Sequence, residues 1–295
     1  MTDISQPLGQ RTRATVRRAH NTRLTSVFML IAPLFLIGTL FALPIALILL
    51  RSVLDPTFTL ENYSRILNNA GYINAFVVSL KIAFWSTLIS LVLSYPLAWV
   101  LIRSSPRVRN LMMIVILLPF WTNILIRVYA WMVVLQNSGL INTLLGPKLG
   151  IISTPVPLVF NFTGVMIGMV HYLVPMHILV LYGTMRSIDL RLLNAAIGLG
   201  ANPLRAFLHV FVPLSMTGTI ASAVLIFVVA LGFYVTPALL GGSNETTVSM
   251  LIGTFFSDVV DWEFGSALSV VLLLLILLGL SLLGWLRKQE RGRAA

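Results

Sequence analysis

Residues 188–213 read IDLRLLNAAIGLGANPLRAFLHVFVP. Asp189 predicts the cap of a short helix whose apolar residues Leu192, Leu193, Ala196, Ile197 and Gly200 fall at helical spacing. Gly200 supplies a turn. Asn202 and Pro203 then start a second short helix with Leu204, Phe207, Leu208 and Phe211 on one face. Two short amphipathic helices joined at a glycine make a rigid knuckle, which can lie in a membrane interface or plug the groove of a soluble partner.

The surroundings of the knuckle are membrane-like. The chain of 295 residues is 58% hydrophobic and 10% charged, with mean hydropathy +0.95, the composition of an all-α polytopic membrane protein. Six apolar runs predict six transmembrane helices, over Val27–Leu50, Ile73–Ile102, Leu111–Leu135, Pro157–Tyr182, Ser215–Leu240 and Ser266–Leu286. The first follows a basic stretch but is about 24 residues long and lacks a small-residue cleavage site, so it reads as a span rather than a leader. The organisation is a basic cytoplasmic tail over 1–24 and a transmembrane domain over 25–290, with no long-period repeat.

Charge sorts by side of the membrane. The tail holds Arg11, Arg13, Arg17, Arg18 and Arg23, and the 2–3 loop holds Arg103, Arg107 and Arg109. The 4–5 loop adds Arg186, Arg191 and Arg205, and the C-terminus adds Arg287, Lys288, Arg291 and Arg293. The opposite segments hold only Arg51, Arg65 and Lys148, with six of the nine acids: Asp55, Glu61, Glu245, Asp258, Asp261 and Glu263. Fifteen basic residues against three predict an N-in/C-in topology with the knuckle in the cytoplasm. The net charge of +11 is thus spread along one membrane side and forms no nucleic-acid-binding face. Cysteine is absent, which excludes disulfides, cysteine-ligated zinc and a thiol nucleophile. No GxxxxGK[ST] run is present, so the chain has no P-loop for ATP, and its loops are too short for a catalytic domain.

The knuckle resembles the EAA loop of binding-protein-dependent ABC importer permeases of the type I, MetI-like class, carried by Ala195-Ala196, Gly200, Val210 and Pro213 at matching spacing. In that family the loop is the coupling helix that docks on the ATPase subunit. The usual Glu at its first position is Asn194 here, which keeps a hydrogen-bonding side chain without the charge. The resemblance therefore implies ATPase coupling through Asn194, Ala195, Ala196, Gly200 and Pro213. Three further stretches, LPFWTNILIRVYAW over 118–131, FTLENY over 58–63 and YPLAW over 95–99, are similar to the spermidine/putrescine, PotB-type branch of the family. The resemblance runs over most of residues 27–286. It implies an ATP-driven import permease whose ATP and Mg are held by a separate ATPase dimer, with no cofactor bound by this chain. The implied partners are a second permease subunit, homologous or identical, a periplasmic solute-binding protein and the lipid bilayer of a bacterial inner membrane, with no nucleic acid.

Lys81 and Arg127 are the charged residues expected within spans. Intramembrane charge points to function by default, but both can also reach outward to headgroups. No acid falls within any predicted span, so a polyamine would meet only aromatics and dipoles from this subunit. Trp121, Asn123, Arg127, Tyr129, His171, Tyr172 and Tyr234 are the candidate path residues. An amino-acid-like or opine-like solute is the alternative cargo, its carboxylate meeting Arg127. His171 and His177 are six apart, on different helix faces, which does not suit a metal pair; His171 reads as a helix–helix hydrogen bond. Gly164 and Gly168 form a GxxxG step for close helix packing. An outer amphipathic helix is predicted over about 246–262, apolar through Val248, Leu251, Ile252, Phe255, Phe256, Val259 and Val260. Its acids Asp258 and Asp261 are candidate contacts for the binding protein, against the plainer reading of an interfacial helix. A secondary carrier or channel would call for ion ligands or broken helices in matching halves, and an intramembrane enzyme for a paired nucleophile and base. The sequence shows neither pattern clearly.

Overall fold

The computed structural model describes residues 31–294 apart from 32 and 56; the predicted basic tail and the first residues of span one lie outside the described residues. Six helices are long and apolar enough to cross a membrane. In chain order they and their connections are α1 (Pro33–Arg51), a small hairpin of β1 (Leu54–Asp55) and β2 (Thr57–Phe58), α2 (Glu61–Asn68) and α3 (Ala70–Arg103). Next come α4 (Pro106–Leu117), α5 (Ile124–Leu135), α6 (Leu140–Thr143) and α7 (Phe162–Met185). The knuckle begins with α8 (Arg191–Gly198) and continues into α9 (Pro203–Leu231), followed by α10 (Val235–Leu240), α11 (Val248–Ser257) and α12 (Trp262–Ala294).

The centre is α3 packed on α7, with α9 against both. Along α3 the buried positions are mostly small: Ala75, Ser79, Ala83, Ser86, Ser90, Ser94 and Ala98, recurring every three or four residues. In lipid no hydrophobic force draws helices together, so close backbone approach through small residues and cross-helix hydrogen bonds takes its place. Ser90 on α3, His177 on α7 and Ser222 on α9 form such a bond set, with Ser90 Oγ 3.0 Å from His177 Nδ1 and His177 Nε2 3.2 Å from Ser222 Oγ. Nearby Tyr95 Oη lies 2.6 Å from Ser215 Oγ, joining α3 to α9 a second time.

Three predicted spans are drawn differently by the structure. Span three is two half-helices. Pro119 has no N–H and its ring crowds the preceding turn. α4 therefore gives way to a 3-10 turn over Leu118–Trp121 and extended Thr122 before Asn123 caps α5, accepting from Leu125 N–H at 2.8 Å. Span four starts at Phe162 rather than Pro157, because Phe160 is left-handed at φ 59° and Asn161 caps the helix through Gly164 N–H at 3.0 Å. Span five reaches back to Pro203 and breaks at Gly232.

The GxxxG step has a definite partner in the half-helix beyond that break. A Cβ on Gly168 would come within 2.6 Å of Leu240 and Thr236, and one on Gly164 within 2.7 Å of the Leu158 carbonyl. The two glycines thus admit α10 against α7, and Asn161 N–H satisfies the Leu240 carbonyl at 3.2 Å.

Opposite ends of α3 carry the two connecting regions. At its first residues, α2, the hairpin and the 241–262 segment gather. Arg65 pairs with Asp261 at 2.9 Å and lies 4.0 Å over the Phe264 ring, while Arg51 lies 5.5 Å over Trp262. Burial works against the Arg65 charge, but its bonds to Asp261 and Tyr72 outweigh that and hold the guanidinium above its ordinary value. At the last residues of α3 sits the knuckle.

Candidate functional site: two helix breaks around Tyr172 and a glycine knuckle

The breaks in spans three and five converge on one aromatic residue of α7. The Tyr172 ring is stacked with Phe120 from the first break at 5.9 Å and meets Phe233 from the second edge-on at 4.7 Å. Arg127 lies over the same ring at 5.5 Å. Unwound backbone at membrane depth persists only where protein groups or a cavity satisfy it. Arg127 performs that task here. Its guanidinium donates to the carbonyls of Pro119 and Thr122 and to Thr122 Oγ1, and the residue is 9% exposed. Arg127 therefore turns back onto the broken helix instead of snorkelling outward, and its donors are directed at protein oxygens instead of a solute carboxylate.

One turn away Trp131 Nε1 donates to His171 Nδ1 at 3.0 Å, the helix–helix hydrogen bond expected of His171. Both rings face a cleft of about 540 Å³ between α3, α4, α5 and α7, with an almost wholly apolar lining that includes Pro119, Val115 and Met166.

The other path candidates are dispersed. Trp121 is 89% exposed and Tyr129 is exposed. Tyr234 lies against Gly253 of α11, where a Cβ would come 3.1 Å from its ring. Asn123 serves as the cap of α5. Lys81 is exposed and lies 4.7 Å over the Phe162 ring, at the start of α7. Sequence reasoning missed Phe120 and Phe233 as the flanks of Tyr172. The available signals were Pro119 and Gly232, the helix-breaking residues beside them.

The knuckle keeps its glycine turn but alters both helices. Gly200 has φ +94°, a conformation that only glycine adopts without strain. Asp189 sits one position earlier than a true cap, its Oδ1 accepting Arg191 N–H at 2.9 Å while Leu190 occupies the cap position. Asn202 caps the following helix through Leu204 N–H at 3.1 Å, as the Asn-Pro pair predicts. That helix is not a separate short element: a π-turn over Phe207–Phe211 carries it into span five, so Pro203–Leu231 is one rod with Pro213 inside it. Phe207 and Phe211 pack on Trp99 of α3 at 4.9 and 4.2 Å. Leu192, Ile197, Leu204 and Leu208 remain exposed together with Leu199, which is 91% exposed, so the predicted apolar faces are only half covered by the chain itself. Asn194 and Ala195 are exposed and Ala196 is half-buried.

On the far side the amphipathic helix ends at Ser257, because Val260 takes a left-handed φ of 59° and Asp261 caps α12 through Phe264 N–H at 3.0 Å. Val259 and Val260 are exposed instead of packed. Asp261 is thus engaged within the chain, whereas Asp258 is exposed and its carboxylate makes no hydrogen bond among the described residues. No group of three or more metal-ligating side chains occurs among the described residues.

Comparison with known proteins gives these features a context. Residues 87–292 match the family described as binding-protein-dependent transport system inner membrane component. The spermidine/putrescine transport system permease protein PotB of Escherichia coli K12 is 37% identical over 264 residues, 88% of this chain and 92% of that protein. PotB of Haemophilus influenzae is 38% identical over 220 residues, 75% of this chain and 76% of that protein. Among solved structures, a bacterial ABC transporter involved in the import of the acidic polysaccharide alginate superposes with TM-score 0.76 at 16% identity, covering 91% of this chain and 98% of that one, which establishes a shared fold. The chain belongs to the binding-protein-dependent transport system inner membrane components, as a multi-pass permease subunit of an ABC importer.

Proposed function

We propose that this permease forms half of an ATP-driven import path for spermidine, putrescine or a closely related amine. The observation that carries the reading is 37% identity to a spermidine/putrescine permease over 92% of that relative's length. Tyr172 bears on it: an electron-rich ring attracts ammonium groups, and this one, packed against two others where two helices unwind, already holds the Arg127 guanidinium at 5.5 Å, which a cargo ammonium would displace. The paired breaks that would have favoured a secondary carrier are accounted for here by Arg127 and by α10 closing on α7. No Asp or Glu lies within the unwound region, so the counter-charge for a polyamine comes from the second permease subunit or the outer loops.

Motion enters through the knuckle. A separate ATPase dimer, which holds ATP and Mg, grips the exposed Leu199 and its apolar neighbours around Gly200. Because Pro203–Leu231 is one rod, displacement there reaches the Gly232 break directly. The knuckle and both termini face the cytoplasm in this reading, and a periplasmic binding protein approaches the end carrying Asp258. ATP-dependent uptake of radiolabelled spermidine and putrescine by the complex reconstituted with its ATPase, second permease and binding protein tests the cargo. Uptake of a neutral or anionic solute with no competition from either polyamine refutes it.

A further inference from the structure

The first helix break gathers three oxygens around one nitrogen. Arg127 Nη2 lies 3.0 Å from Thr122 O and 3.0 Å from Thr122 Oγ1, and it also donates to the Pro119 carbonyl. Thr122 Oγ1 gives its own hydrogen to the Pro119 carbonyl at 2.7 Å, so it presents lone pairs to that nitrogen. The Tyr172 ring faces the same group, 5.5 Å from the guanidinium carbon. No carboxylate takes part: among the described residues the one ion pair is Arg65–Asp261.

Each part of this cage follows from the local fold. Pro119 ends α4 in a 3-10 turn, and the last carbonyls of a helix lack α-helical N–H partners. They are also the negative end of a half-helix, which favours a cation. Arg127 stands one turn into α5, its N–H bonded to the Asn123 carbonyl at 3.1 Å. Helical side chains lean toward the N-terminus, so this one falls back over the break. The resident is nevertheless a poor match in number. Nη2 carries two hydrogens and meets three oxygens, whereas a primary ammonium carries three. Carbonyl and hydroxyl oxygens beside an aromatic ring take an organic ammonium and offer nothing to an anion.

We propose that Pro119 O, Thr122 O, Thr122 Oγ1 and the Tyr172 ring form a primary-ammonium site in the transport path, which Arg127 fills in the absence of cargo and leaves when cargo arrives. One cation replaces another, so the broken helix never has unpaired carbonyls at membrane depth. Two cations do not share the cage, because poorly screened like charges at this spacing repel. A monoamine only trades places with Arg127, whereas a second ammonium on the same molecule adds contacts that Arg127 lacks. Arg127 thereby sets a threshold that favours polyamines over singly charged amines, a selectivity that rests on the polyamine reading above.

The test labels the wild-type complex, with its ATPase and second permease in lipid nanodiscs, with the arginine-specific reagent phenylglyoxal. Modification of Arg127 is followed by peptide mass spectrometry, with the exposed Arg107 as internal reference. Arg127 is 9% exposed, so it is expected to react slowly alone and roughly fivefold or more faster with saturating spermidine. Permethylated spermidine, which has no N–H to donate, is expected to raise the rate far less. Equilibrium binding of spermidine to the same complex moves opposite to a merely structural role. Arg127→Met is expected to bind roughly threefold or more tightly than wild type, and Arg127→Met with Thr122→Val to lose that gain. Arg127 reactivity unchanged or lowered by both spermidine and n-butylammonium, an equal response to the permethylated amine, or unchanged or weaker binding in a folded Arg127→Met overturns the proposal. The labelling uses the native chain, so it decides even if Arg127→Met does not fold. If n-butylammonium raises Arg127 reactivity while polyamine uptake fails, the ammonium site stands and the polyamine reading falls. If polyamines are taken up and Arg127 stays unreactive, the site alone falls.

Discussion

Tyr172 and His177 lie five residues apart on α7 and answer to different physics. The Tyr172 ring meets Phe120, Phe233 and Arg127, all from segments that are unwound or adjoin an unwound turn. If its face receives the cargo ammonium, Tyr172→Phe keeps uptake within about twofold, while Tyr172→Ala lowers it about tenfold or more, the size of one desolvated cation–π contact. Initial rates in proteoliposomes check this, and wild-type uptake in Tyr172→Ala removes the ring from the path. His177 is wholly buried between Ser90 and Ser222. A neutral imidazole has one donor and one acceptor nitrogen, so one hydroxyl accepts from the ring while the other donates to it in place of its own helix carbonyl, Thr87 for Ser90 or Thr219 for Ser222. His177→Leu is expected to destabilise the detergent-solubilised protein by about 1–2 kcal/mol, read as a lower Tm, since both hydroxyls lose a cross-helix partner. An unchanged Tm would mean that the hydroxyls lose nothing beyond their bonds to their own helices.

At the scale of elements, two glycines set where helices can go. Gly168 admits α10, so Gly168→Val, with a Cβ 2.6 Å from both Thr236 and Leu240, is expected to push α10 off α7 and to abolish uptake with a reduced yield of monodisperse protein. Size-exclusion profiles and uptake rates check both effects. Gly200 turns the knuckle at φ +94° with open space around it, so Gly200→Ala meets no clash but a backbone penalty of about 1 kcal/mol. Reduced retention of the ATPase subunit on affinity purification, with the membrane portion still folded, is the expected outcome; full retention would place the grip elsewhere. Both glycines are legible in the sequence because each reports a local backbone need. The span boundaries were less legible. Hydropathy integrates over a window, so it ran straight through Pro119 and Gly232, where single residues stop a helix whose neighbours are all apolar. Arg127 was readable as unusual but not as a staple, because its partners are carbonyls freed by a break that hydropathy does not register. The apolar rhythm of the outer amphipathic helix continues through Val259 and Val260, so its predicted end at about 262 lies five residues beyond Ser257, where the chain leaves the helix ahead of left-handed Val260.

The whole molecule is a lever with distinct ends. α3 is 34 residues long, about 50 Å at helical rise, and reaches from the Arg65–Asp261 tie at one end to the knuckle at the other. α9 runs from the knuckle to the Gly232 break beside Tyr172, so the proposed motor contact and the proposed path share one continuous helix. Fifteen basic residues in the tail, two loops and C-terminus predict one cytoplasmic end, but the continuity of Pro203–Leu231 is visible only in the structure, because Asn202-Pro203 and Pro213 both read as interruptions. The central claim is that these helices carry solute only when an external ATPase moves the knuckle. The most direct measurement is uptake of radiolabelled spermidine and putrescine into proteoliposomes containing this chain alone, and then this chain with its ATPase, second permease and binding protein, each with and without ATP. The account predicts accumulation solely in the complete system with ATP. Accumulation by the lone chain, with no nucleotide hydrolysed, would contradict it.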